Sequence, residues 1–102
     1  MNVYQITERF PVDEKFGLTS QMRRSATSIA SNIAEGAGRN TKKEFANFLH
    51  IAQGSLAELD TQLELATRLR YVDTNIWHEI DEMFQEEDKV LTGLIRSQKD
   101  AL

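Results

Sequence analysis

Five cations mark the first half of the chain. Arg23 and Arg24 stand side by side, and Arg39, Lys42 and Lys43 gather 15 to 19 residues further on. Guanidinium and ammonium groups are what a phosphate backbone recruits, so these five are the candidates for contact with RNA or DNA. Along a helix the two groups lie about 22 to 28 Å apart, and they form one patch only if assembly brings them together. No aromatic residues are interleaved with them, so base stacking is not indicated. The plainer alternative is a solvated basic face that pairs with Glu79, Glu82 and Glu86.

The other polar candidates are weaker. Ser28, Asn32 and Glu35 follow one another at steps of four and three residues, which aligns them on one polar helix face. They suit the lining of a groove or ring channel, or more simply a packed interface in which they satisfy neighbouring backbone groups. Glu87 falls inside an otherwise apolar arc. A lone buried carboxylate is costly, so it is expected to meet an arginine or to lie near the end of the fold.

Catalytic and metal chemistry find no complete set. Ser55 has no His–Asp arrangement beside it, and Glu87 has no paired acid or nucleophile. His50 and His78 belong to different helices, the Glu-x-x-His pairs of di-iron bundles are missing, and His78 with Glu82 makes at best a weak chelate. The chain has no cysteine, which excludes thiolate ligands and disulfides. The expectation is a non-enzymatic protein with no catalytic residues, metal, cofactor or small-molecule substrate.

With 102 residues, the chain makes one domain, residues 1–102, able to build a single core without covalent staples. It has no apolar run near the roughly 20 residues of a membrane span, and Met1 to Phe10 lacks the apolar stretch of a secretion signal. A cytoplasmic protein without membrane contact is expected. The net charge is −4 and unevenly placed: seven Lys/Arg against five Asp/Glu up to Gln53, then five against eleven from Gly54 onward. That acidic balance counts against nucleic acid as the default partner.

The candidates must be held by helices. With Pro11 the only proline and Ala, Leu, Glu and Gln plentiful, the composition favours helix. Val3, Ile6 and Phe10 share one face of a stub that Phe10-Pro11 ends, and Val12 to Gly17 makes a loop. A second helix begins near Leu18 to Ser20, capped by Thr19 or Ser20. Leu18, Met22, Ala26, Ile29, Ala30, Ile33 and Ala37 form its apolar arc, and Gly36 and Gly38 end or loosen it. Thr41-Lys42-Lys43-Glu44 matches a capping box and opens a third helix running to about Arg70. Its stripe is Phe45, Phe48, Leu49, Ala52, Leu56, Leu59 and Leu63. Gly54 within it implies close approach of another helix, such as the small-residue face of the second.

Tyr71 to Asn75 makes a turn with Asp73 or Thr74 as cap. A fourth helix follows, with Ile76, Ile80, Met83, Phe84, Val90, Leu91, Leu94 and Ile95 on one face. Trp77 and Tyr4 are expected as core or interface anchors, and the last few residues are expected to fray. The predicted fold is all-α: an antiparallel up-and-down four-helix bundle with a short or truncated first helix. That shortness has a consequence. A stub of about 14 Å cannot cover helices two to three times its length, and Ile51, Leu65 and Leu69 lie to one side of the third helix's main stripe. These three are the expected oligomer interface.

Gly17–Arg39 and Glu44–Ala66 resemble the small four-helix-bundle family encoded within intervening sequences of bacterial 23S rRNA genes. The likeness rests on Gln21-Met22-Arg23-Arg24, Asn32-Ile33-Ala34-Glu35-Gly36 and Gly54-Ser55-Leu56-Ala57-Glu58-Leu59 occurring in that order, and it spans the chain from Tyr4 through the fourth helix. It implies a bundle that assembles as a ring-shaped homopentamer. It also implies kinship with accessory proteins of diversity-generating retroelements, which look like nucleic-acid-binding pentamers. Most members have no established biochemical activity. This chain departs from them at its start, because family members carry an additional stretch before the equivalent of Val3.

Overall fold

The computed structural model describes residues 3–100, so the expectation of fraying at Ala101 and Leu102 lies outside the described residues. Four α-helices and no strand are present among them: α1 Val3–Thr7, α2 Leu18–Ala37, α3 Lys42–Arg68 and α4 Thr74–Asp100. A 3-10 turn at Val12–Glu14 follows Pro11. The all-helical bundle and its short first helix are as the periodicity predicts.

The ends of the helices show how local chemistry sets their limits. Thr41 Oγ1 accepts a hydrogen bond from the Glu44 amide at 3.1 Å, so the predicted cap opens α3. Asp73 Oδ1 accepts from the Asn75 amide at 2.8 Å and caps α4. The start of α2 differs from expectation. Gly17 is its N-cap, with no side-chain cap, and Thr19 is buried inside the first turn. At the end of α3, Arg70 adopts a left-handed φ of 66°. The Tyr71 amide donates to Ala66 O and the Arg70 amide to Thr67 O, which is the Schellman arrangement with arginine where glycine is usual.

Helix α3 lies between α2 and α4, packed along both, while the α2 and α4 backbones do not approach one another. The result is a flat layer of 47 × 25 × 17 Å. Its radius of gyration is 15.0 Å, against about 13 Å for a compact chain of this length. Antiparallel packing is fixed by cross-helix pairs: Ser28 with Ser55, and Gln53 with Asp88 and Thr92. Buried Leu49, Leu56, Leu59 and Leu63 run along the inner side of α3 and join α2 and α4 side chains in two contiguous clusters.

Two glycines need reinterpretation. Gly36 does not end α2 through a left-handed turn, since none of the described glycines has positive φ. It is buried, and a Cβ there would stand 2.6 Å from Phe48 Cβ and 2.9 Å from Phe45 Cδ1. Gly36 is what lets α2 and α3 close together. At Gly54 the expectation fails: a Cβ would meet nothing within 4 Å, because the residue lies on the far side of α3 from α2 and α4. The small-residue face of α2 lies elsewhere too. Buried Ser25 and Gly36 lie against α3, while Ala30 and Ala37 are exposed.

Candidate functional site

The outer side of α3 carries an open apolar stripe. Ile51, Leu65 and Leu69 are 52%, 48% and 46% exposed. Eighteen residues separate Ile51 from Leu69, five whole turns at 3.6 residues each, so they share one face. Gly54 and Glu58 lie on that same face. It points away from the inner side of α3, where Leu49 and Leu63 are almost wholly buried.

The inner side presents a trough walled by α2 and α4. Its lower end is filled by α1. Arg23 Nε donates to Thr7 Oγ1 at 2.9 Å, and the Arg23 guanidinium lies 4.6 Å over the Tyr4 ring. Phe10 packs on Tyr71 with ring centroids 5.3 Å apart, and Tyr71 in turn donates its hydroxyl to Glu14 Oε2 at 3.1 Å. That bond and the negative charge beside it raise the phenol above its ordinary pKa. Among the described residues, no helix lies over the upper part of the trough. Glu87 shows the consequence. It stands two turns from Ile80 on the same face, yet it is exposed, because α1 stops short of it. Among the described residues no ion pair joins it to an arginine, and it stands midway along α4 rather than at the bundle end, which corrects the expectation.

The five basic residues do not form one patch within the protomer. Arg23 is committed to α1. Arg39, just past the end of α2, pairs with Glu35 of that helix at 2.6 Å and lies over Phe48 at 4.8 Å. Arg24 is exposed and donates to Ser20 Oγ, while Lys42 and Lys43 are exposed at the opposite end of α2, where α3 begins. Among the described residues neither ion pair joins this basic group to Glu79, Glu82 or Glu86. Of the polar face, Ser28 bonds Ser55 at 2.8 Å, and Asn32 Nδ2 donates to both Ser28 O and Oγ. Ser28 thus bridges α2 to α3, Asn32 braces Ser28 within α2, and Glu35 serves Arg39.

Trp77 is partly buried against the core and its ring stands 4.8 Å from that of His78, whereas Tyr4 is half-exposed. No group of three or more potential ligands that could hold a metal occurs among the described residues.

One feature of the α3–α4 contact escapes the sequence reasoning. Asp60 of α3 faces Asp81 of α4. Its carboxyl is raised from 3.8 to about 6, first by burial, then by its hydrogen bond to Asp81 and the negative charges of Asp81 and Glu64. Asp60 Oδ1 is buried without a hydrogen-bond partner. Gln85 Nε2 donates to Asp81 Oδ2 at 2.9 Å, and Asp88 and Lys89 line the adjoining cleft with Asp60. The sequence holds a signal for this pair: Asp60 falls four residues after Leu56 and three before Leu63, inside the apolar stripe of its helix.

Three long antiparallel helices with a short fourth across one end define a small all-α bundle protein. None of its described helices is long and apolar enough to cross a membrane. The chain belongs to the 23S rRNA-intervening sequence protein family, whose model matches residues 1–93. A solved structure from Bacteroides thetaiotaomicron, a protein with unknown function from the S23 ribosomal protein family, is 30% identical. It superposes with a TM-score of 0.80, over 92% of this chain and 85% of that one. No curated protein matches the chain. Neither description names an enzymatic activity.

Proposed function

We propose that this chain is a non-enzymatic, cytoplasmic assembly protein whose protomers associate through the outer side of α3 into a ring-shaped homo-oligomer, with five subunits as the family resemblance implies. The observation that carries this is the half-exposure of Ile51, Leu65 and Leu69 on one face of the central helix. Large aliphatic side chains gain about 1.5–3 kcal/mol each from full burial, and exposed large aliphatic residues aligned on one helix face support an interaction surface. Gly54 supports the assignment. A glycine inside a helix costs about 1 kcal/mol against alanine, and with no close neighbour in the protomer its compensation would come from another subunit's backbone.

The test is solution mass by sedimentation velocity and light scattering, with Leu65→Glu alongside. The expected result is an oligomer that Leu65→Glu dissociates while circular dichroism stays helical. A stable monomer at micromolar concentration overturns the proposal. Nucleic-acid binding, the alternative, is assigned first to Arg24, Lys42 and Lys43, because Arg23 is engaged with α1 and Arg39 is ion-paired with Glu35. It requires salt-sensitive retention on RNA or DNA that is lost when those three are replaced.

A further inference from the structure

Val12 and Phe16 are 86% and 87% exposed, the two most exposed large apolar side chains among the described residues. Both belong to the short connection between α1 and α2, at the lower end of the bundle. Their exposure is built into the turn. Pro11 leads into it, the Glu14 amide donates to Pro11 O, and the Lys15 amide donates to Val12 O. Glu14 takes the inward side and accepts the Tyr71 hydroxyl at 3.1 Å. Val12 and Phe16 are left pointing outward, with the Lys15 ammonium 5.5 Å over the Phe16 ring. The connection therefore presents a braced apolar knob. Each such side chain left in water forgoes about 1.5–3 kcal/mol of burial.

We propose that this knob is the other half of the subunit contact: Val12 and Phe16 of one copy seat against Leu65 and Leu69 of the next. The inference rests on the reading of the outer side of α3 as the assembly surface, and adds which part of a second copy that surface receives.

Charge is the first support. A ring is built from heterologous contacts, in which one patch meets a different patch of the neighbouring protomer. The α3 stripe is poorly suited to meet itself, because Glu58 is exposed on its face. Parallel pairing of two stripes in register sets Glu58 against Glu58, and so does antiparallel pairing with Ile51 opposite Leu65. Like charges so placed disfavour the contact. The knob has no such conflict. Asp13 and Lys15 border it, and Arg68 and Glu64, which border Leu65, offer each a partner of opposite sign.

Level is the second support. Leu69 is the C-cap of α3 and stands two residues before Tyr71, which holds Glu14. The knob and the Leu65–Leu69 end of the stripe therefore lie at the same height along the bundle. Rotation about an axis parallel to the bundle brings one against the other with no shift along it. That is the condition for a closed ring, whereas a shift generates an open filament. Phenylalanine is also among the side chains enriched at interface cores.

The experiment is sedimentation velocity at micromolar concentration on the full chain, Phe16→Glu, Leu65→Glu and an equimolar mixture of the two variants. Both substitutions fall on exposed positions, and circular dichroism checks that each variant stays helical. Expected are an oligomer for the parent and a monomer for each variant alone. The mixture gives a heterodimer and nothing larger, because the intact knob of the Leu65→Glu chain meets the intact stripe of the Phe16→Glu chain. Phe16→Ala weakens assembly about tenfold or more, while Phe16→Leu retains it. If Phe16→Glu keeps the parent mass while Leu65→Glu dissociates, the knob assignment is overturned and the α3 surface stands. A mixture of two monomers that yields no heterodimer also overturns the knob. A monomeric parent overturns the α3 reading itself, and the knob with it.

Discussion

Replacing Asp60 by asparagine should stabilise the protein at neutral pH and leave it nearly unchanged in acid. In the native state the Asp60 carboxyl holds its proton to about pH 6, against 3.8 for the free group. A raised carboxyl contributes stability that is fully present below its unfolded value and is lost as pH rises through its folded value. The loss accumulates between about pH 4 and pH 6 and is then constant. At 1.36 kcal/mol per pH unit, the gap amounts to an upper bound of roughly 3 kcal/mol. Because Asp60 is only partly buried, solvent screening brings the expected figure to about 1–2 kcal/mol.

Asparagine preserves the shape, cannot ionise and still has a donor for Asp81. Urea denaturation of both forms at matched protein concentration, followed by far-UV circular dichroism from about pH 4 to pH 8, measures the difference. The stability gain of the variant should be near zero at the acid end, grow through the window and then level off. A pH-independent difference, or a variant less stable at neutral pH, would refute the shared-proton account. Glu64 and Asp81 repel the ionised Asp60 carboxylate, while Lys89 in the neighbouring cleft is the nearby cation that could soften the effect.

Three backbone predictions accompany it. Gly36→Ala forces a methyl group against Phe48 and Phe45 and should cost about 1–3 kcal/mol in a thermal melt. Gly54→Ala, with open space around it, should instead raise the melting temperature of a protomer kept monomeric by Leu65→Glu, by the equivalent of about 1 kcal/mol. Arg70→Gly relieves a left-handed conformation at φ 66°. After subtracting glycine's extra freedom in the unfolded chain, it should stabilise by about 0.5–1 kcal/mol, measurable as a shift in the urea midpoint.

The one-dimensional pattern was enough for the helices themselves. The Thr41 and Asp73 caps and the 3.6-residue stripe of α3 are local chemistry, acting over one or two turns, so they can be read from neighbouring residues, whereas α1 ends at Thr7, three residues before the expected Phe10-Pro11 stop. The shortness of α1 was legible for the same reason, and with it the prospect of uncovered apolar surface. Ile51, Leu65 and Leu69 could be picked out because their angular offset from the main stripe is a property of one helix.

Which helix meets which, and at what distance, is not written in any single helix. Gly36 reads like a terminator until Phe45 and Phe48 are seen against it, and Gly54 reads like a contact until nothing is found beside it. Glu87 sits on an apolar arc, yet whether it is buried depends on how far α1 reaches. Asp60 acquires its shifted acidity from burial at the α3–α4 contact and from Asp81, across a helix interface and 21 residues away in the chain. Helical periodicity is set by backbone geometry within a few residues, so the sequence alone determined the elements and their apolar faces. Desolvation and coulombic coupling depend on distances between elements, so only the tertiary structure decided which faces close, which stay open and which carboxyl keeps its proton.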